Sequence, residues 1–153
     1  MTDSIPKGFH SVTPFLMVDN VEELITFMEN GLGATKVSAL HQISGKIMHA
    51  QMKIGDSMLL VGDSMGKPTM PQSLYIYLDD TDSAHLRALE AGAVNIKMPE
   101  DQFYGDRNAG VQDKFGNMWW LATHIEDISD EDLQERAIEF EKNLAECQTS
   151  KSA

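Results

Sequence analysis

Short runs in which apolar and polar residues alternate make up most of this chain, and two stretches switch to helical spacing. Ser11 to Val18 alternates and predicts a strand with Thr13, Phe15 and Met17 on one face. Asp19 or Asn20 then caps a helix in which Val21, Leu24, Ile25 and Met28 share a side, and Gly31-Leu32-Gly33 ends it. Ala34–Gln42, Ile47–Ile54 and Ser57–Val61 read as strands, followed by a loop from Gly62 to Gln72.

The order then repeats. Ser73–Leu78 is a strand, Asp79 or Asp80 a cap, Ser83–Glu90 a helix stopped by Gly92, and Val94–Met98 a strand. Gln102 to His124 reads as loop, strand, turn and strand. Its turn is Asp113-Lys114-Phe115-Gly116-Asn117, and the last strand, Met118–His124, holds both tryptophans. The halves align at an offset of about sixty residues: Phe15–Asp19 falls on Tyr75–Asp79, and Met58-Leu59-Leu60 on Trp119-Trp120-Leu121. That alignment makes Leu59 the counterpart of Trp120. The fold class is therefore α+β, with two tandem βαβββ modules, about 10–63 and 73–124, forming curved mixed sheets around a shared cleft. One domain over 1–127 is expected, then an amphipathic C-terminal helix at 128–147 and a frayed tail at 148–153. In that helix Ser129 opens a capping box, and Leu133, Ala137, Phe140 and Leu144 share one face.

Composition narrows the function. The 153 residues carry a net charge of −12 from 24 acidic and 12 basic side chains, which argues against a nucleic-acid partner. Part of that charge is local, because Glu126 to Glu146 is acidic with Arg136 and Lys142 as its basic residues. One cysteine, Cys147, excludes an internal disulfide, and no apolar run approaches the ~20 residues of a membrane span. MTDSIPKG lacks the apolar core of a signal peptide, so a cytoplasmic location is expected. No nucleophile elbow, phosphate loop, zinc spacing or dinucleotide fingerprint is present.

The segments TPFLMVDN, KIMHAQMKIGDSMLLVGD and PEDQFYGDRNAGVQDKFGNMWWLATH, in this duplicated order, resemble the vicinal-oxygen-chelate superfamily. That superfamily holds glyoxalase I, bleomycin-resistance proteins and extradiol dioxygenases, and the segments are similar to its PhnB-like branch. The resemblance implies four metal-ligand places, which fall here on Thr13, Leu59, Ser73 and Trp120. Leucine and tryptophan cannot coordinate, and lone hydroxyls are poor donors to a divalent transition metal. No metal cofactor is therefore expected. The resemblance also implies a homodimer, and an apolar Met58–Val61 strand and the C-terminal helix are surfaces such a partner would cover.

Three functions follow. In the first, His124, Tyr104 or Tyr75 handles protons and Arg107 holds an anionic group of a small oxygenated or aromatic compound. In the second, the chain sequesters a small aromatic compound among Trp119, Trp120, Tyr75, Tyr77 and Phe15, with Thr13, Leu59 and Ser73 in the lining. A metal-dependent glyoxalase-type lyase or dioxygenase with ligands in an unexpected register is the third alternative. His49 reads as a strand histidine, and His10, His41 and His85 as surface residues.

Overall fold

A computed structural model describes residues 2–152. The first module is β1 (Phe15–Val18), α1 (Val21–Leu32), β2 (Thr35–His41), β3 (Ile47–Ile54) and β4 (Ser57–Asp63). The second is β5 (Ser73–Tyr77), α2 (Thr81–Glu90), β6 (Val94–Asp101), β7 (Asp106–Gln112) and β8 (Met118–His124), and α3 (Asp130–Lys151) follows. The sheets run β1-β4-β3-β2 and β5-β8-β7-β6, each with one parallel pair, β1–β4 or β5–β8, among antiparallel ones. The duplicated βαβββ order is thus present in three dimensions.

Local chemistry explains the helices. Asn20 caps α1 by accepting from the Glu23 amide at 3.2 Å, and Gly33, at φ 67°, closes it in the left-handed conformation. Asp80 caps α2, accepting from the Asp82 and Ser83 amides. Buried Val21, Leu24, Ile25, Phe27, Met28 and Leu32 of α1 meet Ala84 and Ala88 of α2 and the reverse faces of both sheets in one core. The helices touch closely: a Cβ on Gly31 would lie 3.0 Å from that of Ala91.

The β7–β8 turn is pinned by Asp113, which is buried. Its carboxylate accepts from the amides of Phe115 and Asn117, at 2.9 and 3.0 Å, and from the indole of Trp119, also at 3.0 Å. Trp119 is 0% exposed and sits 6.4 Å from the ring of Phe27.

Several boundaries differ from the sequence reading. β1 begins at Phe15, so Thr13 precedes it, its hydroxyl donating to the His10 carbonyl at 3.2 Å. The Met58–Val61 strand needs no partner chain, since Met58, Leu59 and Val61 are buried within this one. His85 is a core residue rather than a surface one: it is 1% exposed, with Nε2 2.7 Å from Asn95 Oδ1. α3 runs on to Lys151, past the end expected at 147, and has no buried residue. It leans on the domain through Phe140, whose ring centre is 4.9 Å from that of Phe103, and through the Arg136–Glu126 pair.

Candidate functional site

Register decides which side chains meet. Phe15 pairs with Leu60 across β1–β4, and Tyr75 with Trp120 across β5–β8. Leu60 is therefore the counterpart of Trp120, and Leu59 that of Trp119. A one-residue slip turns every side chain of a strand to the other face. Leu59, 3% exposed, belongs to the core with Trp119 and offers a ligand almost no surface.

The concave face of the second sheet carries Ser73, Tyr75 and Tyr77 from β5, Lys97 from β6, Asp106, Asn108 and Gly110 from β7, and Trp120 and His124 from β8. Tyr104 reaches it from the loop before β7. Trp120 lies flat over Gly110, where an added Cβ would stand 2.7 Å from the ring, and its indole donates to Ser73 Oγ at 3.2 Å. Residues Tyr75, Lys97, Tyr104, Asn108 and Trp120 line an open concavity of about 330 Å³.

Asp106 organises this face. It is 4% exposed, and its Oδ2 accepts from the Tyr75 and Tyr77 hydroxyls at 2.7 and 2.9 Å. His124 Nδ1 lies 2.9 Å from Oδ1 of the same carboxylate, and His124 Nε2 lies 2.9 Å from Asp127 Oδ1. Burial works to raise the Asp106 pKa, but the bonds from His124, Tyr75 and Tyr77 outweigh it and hold the carboxyl below its usual range. Asp127 first, then Asp106, push the His124 imidazole up. Burial, and the hydroxyl's bond to Asp106, push the Tyr75 phenol well above its ordinary value.

Asn108, 2% exposed, joins the network to the concavity. Its Oδ1 accepts from Lys97 Nζ at 3.1 Å, and its Nδ2 donates to Tyr75 Oη at 3.2 Å and Tyr104 Oη at 2.6 Å.

Of the residues singled out from sequence, Tyr104, His124, Ser73, Tyr75, Tyr77 and Trp120 are brought together here. Phe15 belongs to the other sheet, packed on His49 and against Gly62. Thr13 borders a separate concavity of about 390 Å³ between the N-terminal segment and His49, Gln51 and Leu60. Trp119 and Arg107 do not reach the face. Strand alternation sends Arg107 to the helix side, where its guanidinium binds Asp82 at 2.6 Å and Asp101 at 2.9 Å. It holds β7 to α2 and is not free to take a ligand's anionic group. Lys97, Asp106 and Asn108 were missed, because QFYGDR reads as loop whereas β7 starts at Asp106. Counting alternate residues back from Gly110 would have found Asn108 and Asp106.

Four-ligand metal chemistry does not fit these residues. On the concave faces, Leu60 and Trp120 occupy the last-strand places; Thr13, ahead of β1, lines the concavity that Leu60 borders, and Ser73 accepts from the Trp120 indole. No group of three His, Cys, Asp or Glu side chains converges among the described residues.

Residues 8–121 match the model of the glyoxalase/bleomycin resistance protein/dioxygenase superfamily. The chain belongs to this superfamily. It is 29% identical over 136 residues to an uncharacterized protein of Mycobacterium tuberculosis, covering 81% of this chain and 80% of that one. An uncharacterized Mycobacterium bovis protein matches at the same identity over 90% of its length. In fold it is similar to TioX from Micromonospora sp. ML1, with a TM-score of 0.65, 20% identity, and coverage of 75% of this chain and 100% of that one. A superfamily enzyme from Burkholderia phytofirmans PsJN superposes with a TM-score of 0.60 at 14% identity, over 72% of this chain and 95% of that one. Within the superfamily's two-module frame, the second sheet of this chain carries the polar network. No helix among the described residues is long and apolar enough to cross a membrane.

Proposed function

We propose that this protein is a PhnB-like member of the superfamily that binds a small aromatic or oxygenated compound on the concave face of its second sheet, without a divalent metal. The observation that carries this reading is the pairing of Trp120, an aromatic platform at the surface, with the buried Asn108 amide in one concavity of about 330 Å³, Asp106 standing behind it through the Tyr75 hydroxyl. That volume suits a small ligand, and ring stacking adds ~0.5–1.5 kcal/mol beyond area burial.

Binding is favoured over acid–base catalysis. Both nitrogens of His124 are directed at carboxylates, and both bonds form together when the ring is doubly protonated. Such a ring has no lone pair with which to take a proton from a substrate. Asp106 already accepts three donors. The group that favours an enzymatic reading is Tyr104, whose hydroxyl accepts from Asn108 and keeps its own proton for a ligand oxygen.

A second copy of the chain and a small molecule are the partners in this reading, with no nucleic acid, and the setting is the cytoplasm. A thermal-shift and NMR screen of one- and two-ring compounds tests it. Shifts confined to Tyr75, Tyr104, Asn108 and Trp120 support the assignment; binding elsewhere overturns it.

A further inference from the structure

Resting on that reading, we infer that the ligand is an aromatic carboxylate, its ring on Trp120 and its anionic oxygens on Lys97 Nζ and Tyr104 Oη. The argument is a count of hydrogens. An ammonium only donates, so the Asn108 atom facing Lys97 is the carbonyl Oδ1, and the amide nitrogen faces the two tyrosines. Its two hydrogens go to Tyr75 Oη and Tyr104 Oη. Each hydroxyl must then direct its own proton elsewhere. Tyr75 donates to Asp106. The Tyr104 proton has the Tyr75 oxygen as its neighbour, which already accepts from Asn108, and among the described residues it makes no well-aligned hydrogen bond of its own.

Lys97 is also incompletely used. One hydrogen serves Asn108, and a second faces Glu100, a 69% exposed carboxylate that pairs with the ammonium at 3.7 Å. At least one N–H remains. The remaining donors of Lys97 and Tyr104 therefore border the same concavity, next to the indole of Trp120, with the Asn108 amide bridging them from behind. Two donors, one of them charged, beside an aromatic face are complementary to a planar ring bearing a carboxylate. The net charge of −12 does not oppose this at short range, because charges beyond ~8–10 Å are largely screened at physiological salt.

Calorimetry and amide NMR with 2-naphthoate and its neutral amide, 2-naphthamide, test the inference on the whole chain. The acid is expected to bind at least about tenfold more tightly than the amide, shifting Tyr104, Asn108 and the Trp120 indole. Lys97→Met and Tyr104→Phe should each weaken the acid about tenfold, the loss of one charge-assisted or buried hydrogen bond, and Lys97→Met, which removes the charge, should leave the amide nearly unchanged. Both variants must keep the parent's melting temperature within a few degrees; Lys97→Arg, which restores the charge, recovers acid binding and guards against a folding artefact. Equal affinity for acid and amide, or variants that bind the acid as the parent does, overturn the carboxylate assignment while leaving small-molecule binding intact. Failure of both compounds to bind at this face overturns the two readings together.

Discussion

His124 Nδ1 lies 2.9 Å from Oδ1 of Asp106, so an exposed imidazole is tied to a carboxylate that is 4% exposed. This pairing sets a pH dependence. The folded His124 pKa is raised above 6.5, so its contribution to stability is complete below that value and fades as pH rises through the folded pKa. The Asp106 pKa is lowered from 3.8, so its contribution is present above 3.8 and is lost as pH falls through the folded value. The melting-temperature gap between the parent and His124→Gln should be widest between about pH 4 and 6.5 and should narrow toward alkaline pH. A gap that widens above pH 7 contradicts the pairing.

Gly105 bears on the same loop. At φ 89° it stands where a Cβ would come within 2.3 Å of the Glu126 carbonyl, and its own carbonyl accepts from the amides of Ile125 and Glu126. Gly105→Ala must therefore move backbone, not a yielding side chain. A loss of at least about 1–3 kcal/mol in urea unfolding is expected. Broadened Tyr104 and His124 signals should accompany it. Unchanged stability would show that residues 125–126 can give way.

The two tryptophans separate stability from binding. Trp119→Ala removes a fully buried side chain and an indole bond to Asp113, and should cost about 3–5 kcal/mol. Trp120→Ala should cost much less in denaturant titration yet abolish ring binding at the concave face. Equal losses of stability would contradict their opposite placement.

This contrast was only half legible from the sequence. The duplicated order, the caps Asn20 and Asp80 and the Asp113–Asn117 turn follow from local chemistry and were readable. Which tryptophan faces outward depends on pairing register, and aligning Met58-Leu59-Leu60 with Trp119-Trp120-Leu121 shifts the first module by one residue. The pairs Phe15–Leu60 and Tyr75–Trp120 restore an offset of sixty in both strands. Arg107 was misread for a related reason: a charged residue two positions after Gly105 looks like loop, whereas one strand position past Asp106 it points at α2. The Asn108 network joins three strands and a loop, a long-range arrangement that no window of sequence displays.

Association follows from what the sheets leave uncovered. Phe15, Val37, Leu40 and Met48 of the first module and Tyr75, Tyr77, Val94, Ile96 and Met98 of the second are exposed apolar side chains. A second copy covering these faces is the expected state. Light scattering should give twice the 17.0 kDa chain mass at micromolar concentration. A particle of one chain mass would defeat the expectation.

The last expectation concerns metal. A tight divalent site needs three or four His, Cys, Asp or Glu side chains converging at about 2.0–2.3 Å. The acidic and imidazole groups nearest the concavity are already committed: Asp106 to Tyr75, Tyr77 and His124, and His124 to Asp106 and Asp127. Recruiting them would strip two tyrosines of their buried acceptor, and Trp120 fills the space beside Ser73. Purified protein should therefore contain no stoichiometric Zn²⁺, Ni²⁺, Mn²⁺ or Fe²⁺ by elemental analysis, and a chelator should leave its melting temperature unchanged. Removing a bound ion destabilises a protein by an amount that grows with the affinity lost, so a silent chelator titration is a sensitive readout. A metal-to-protein ratio near one, lost on chelation together with stability, would return glyoxalase-type chemistry to first place.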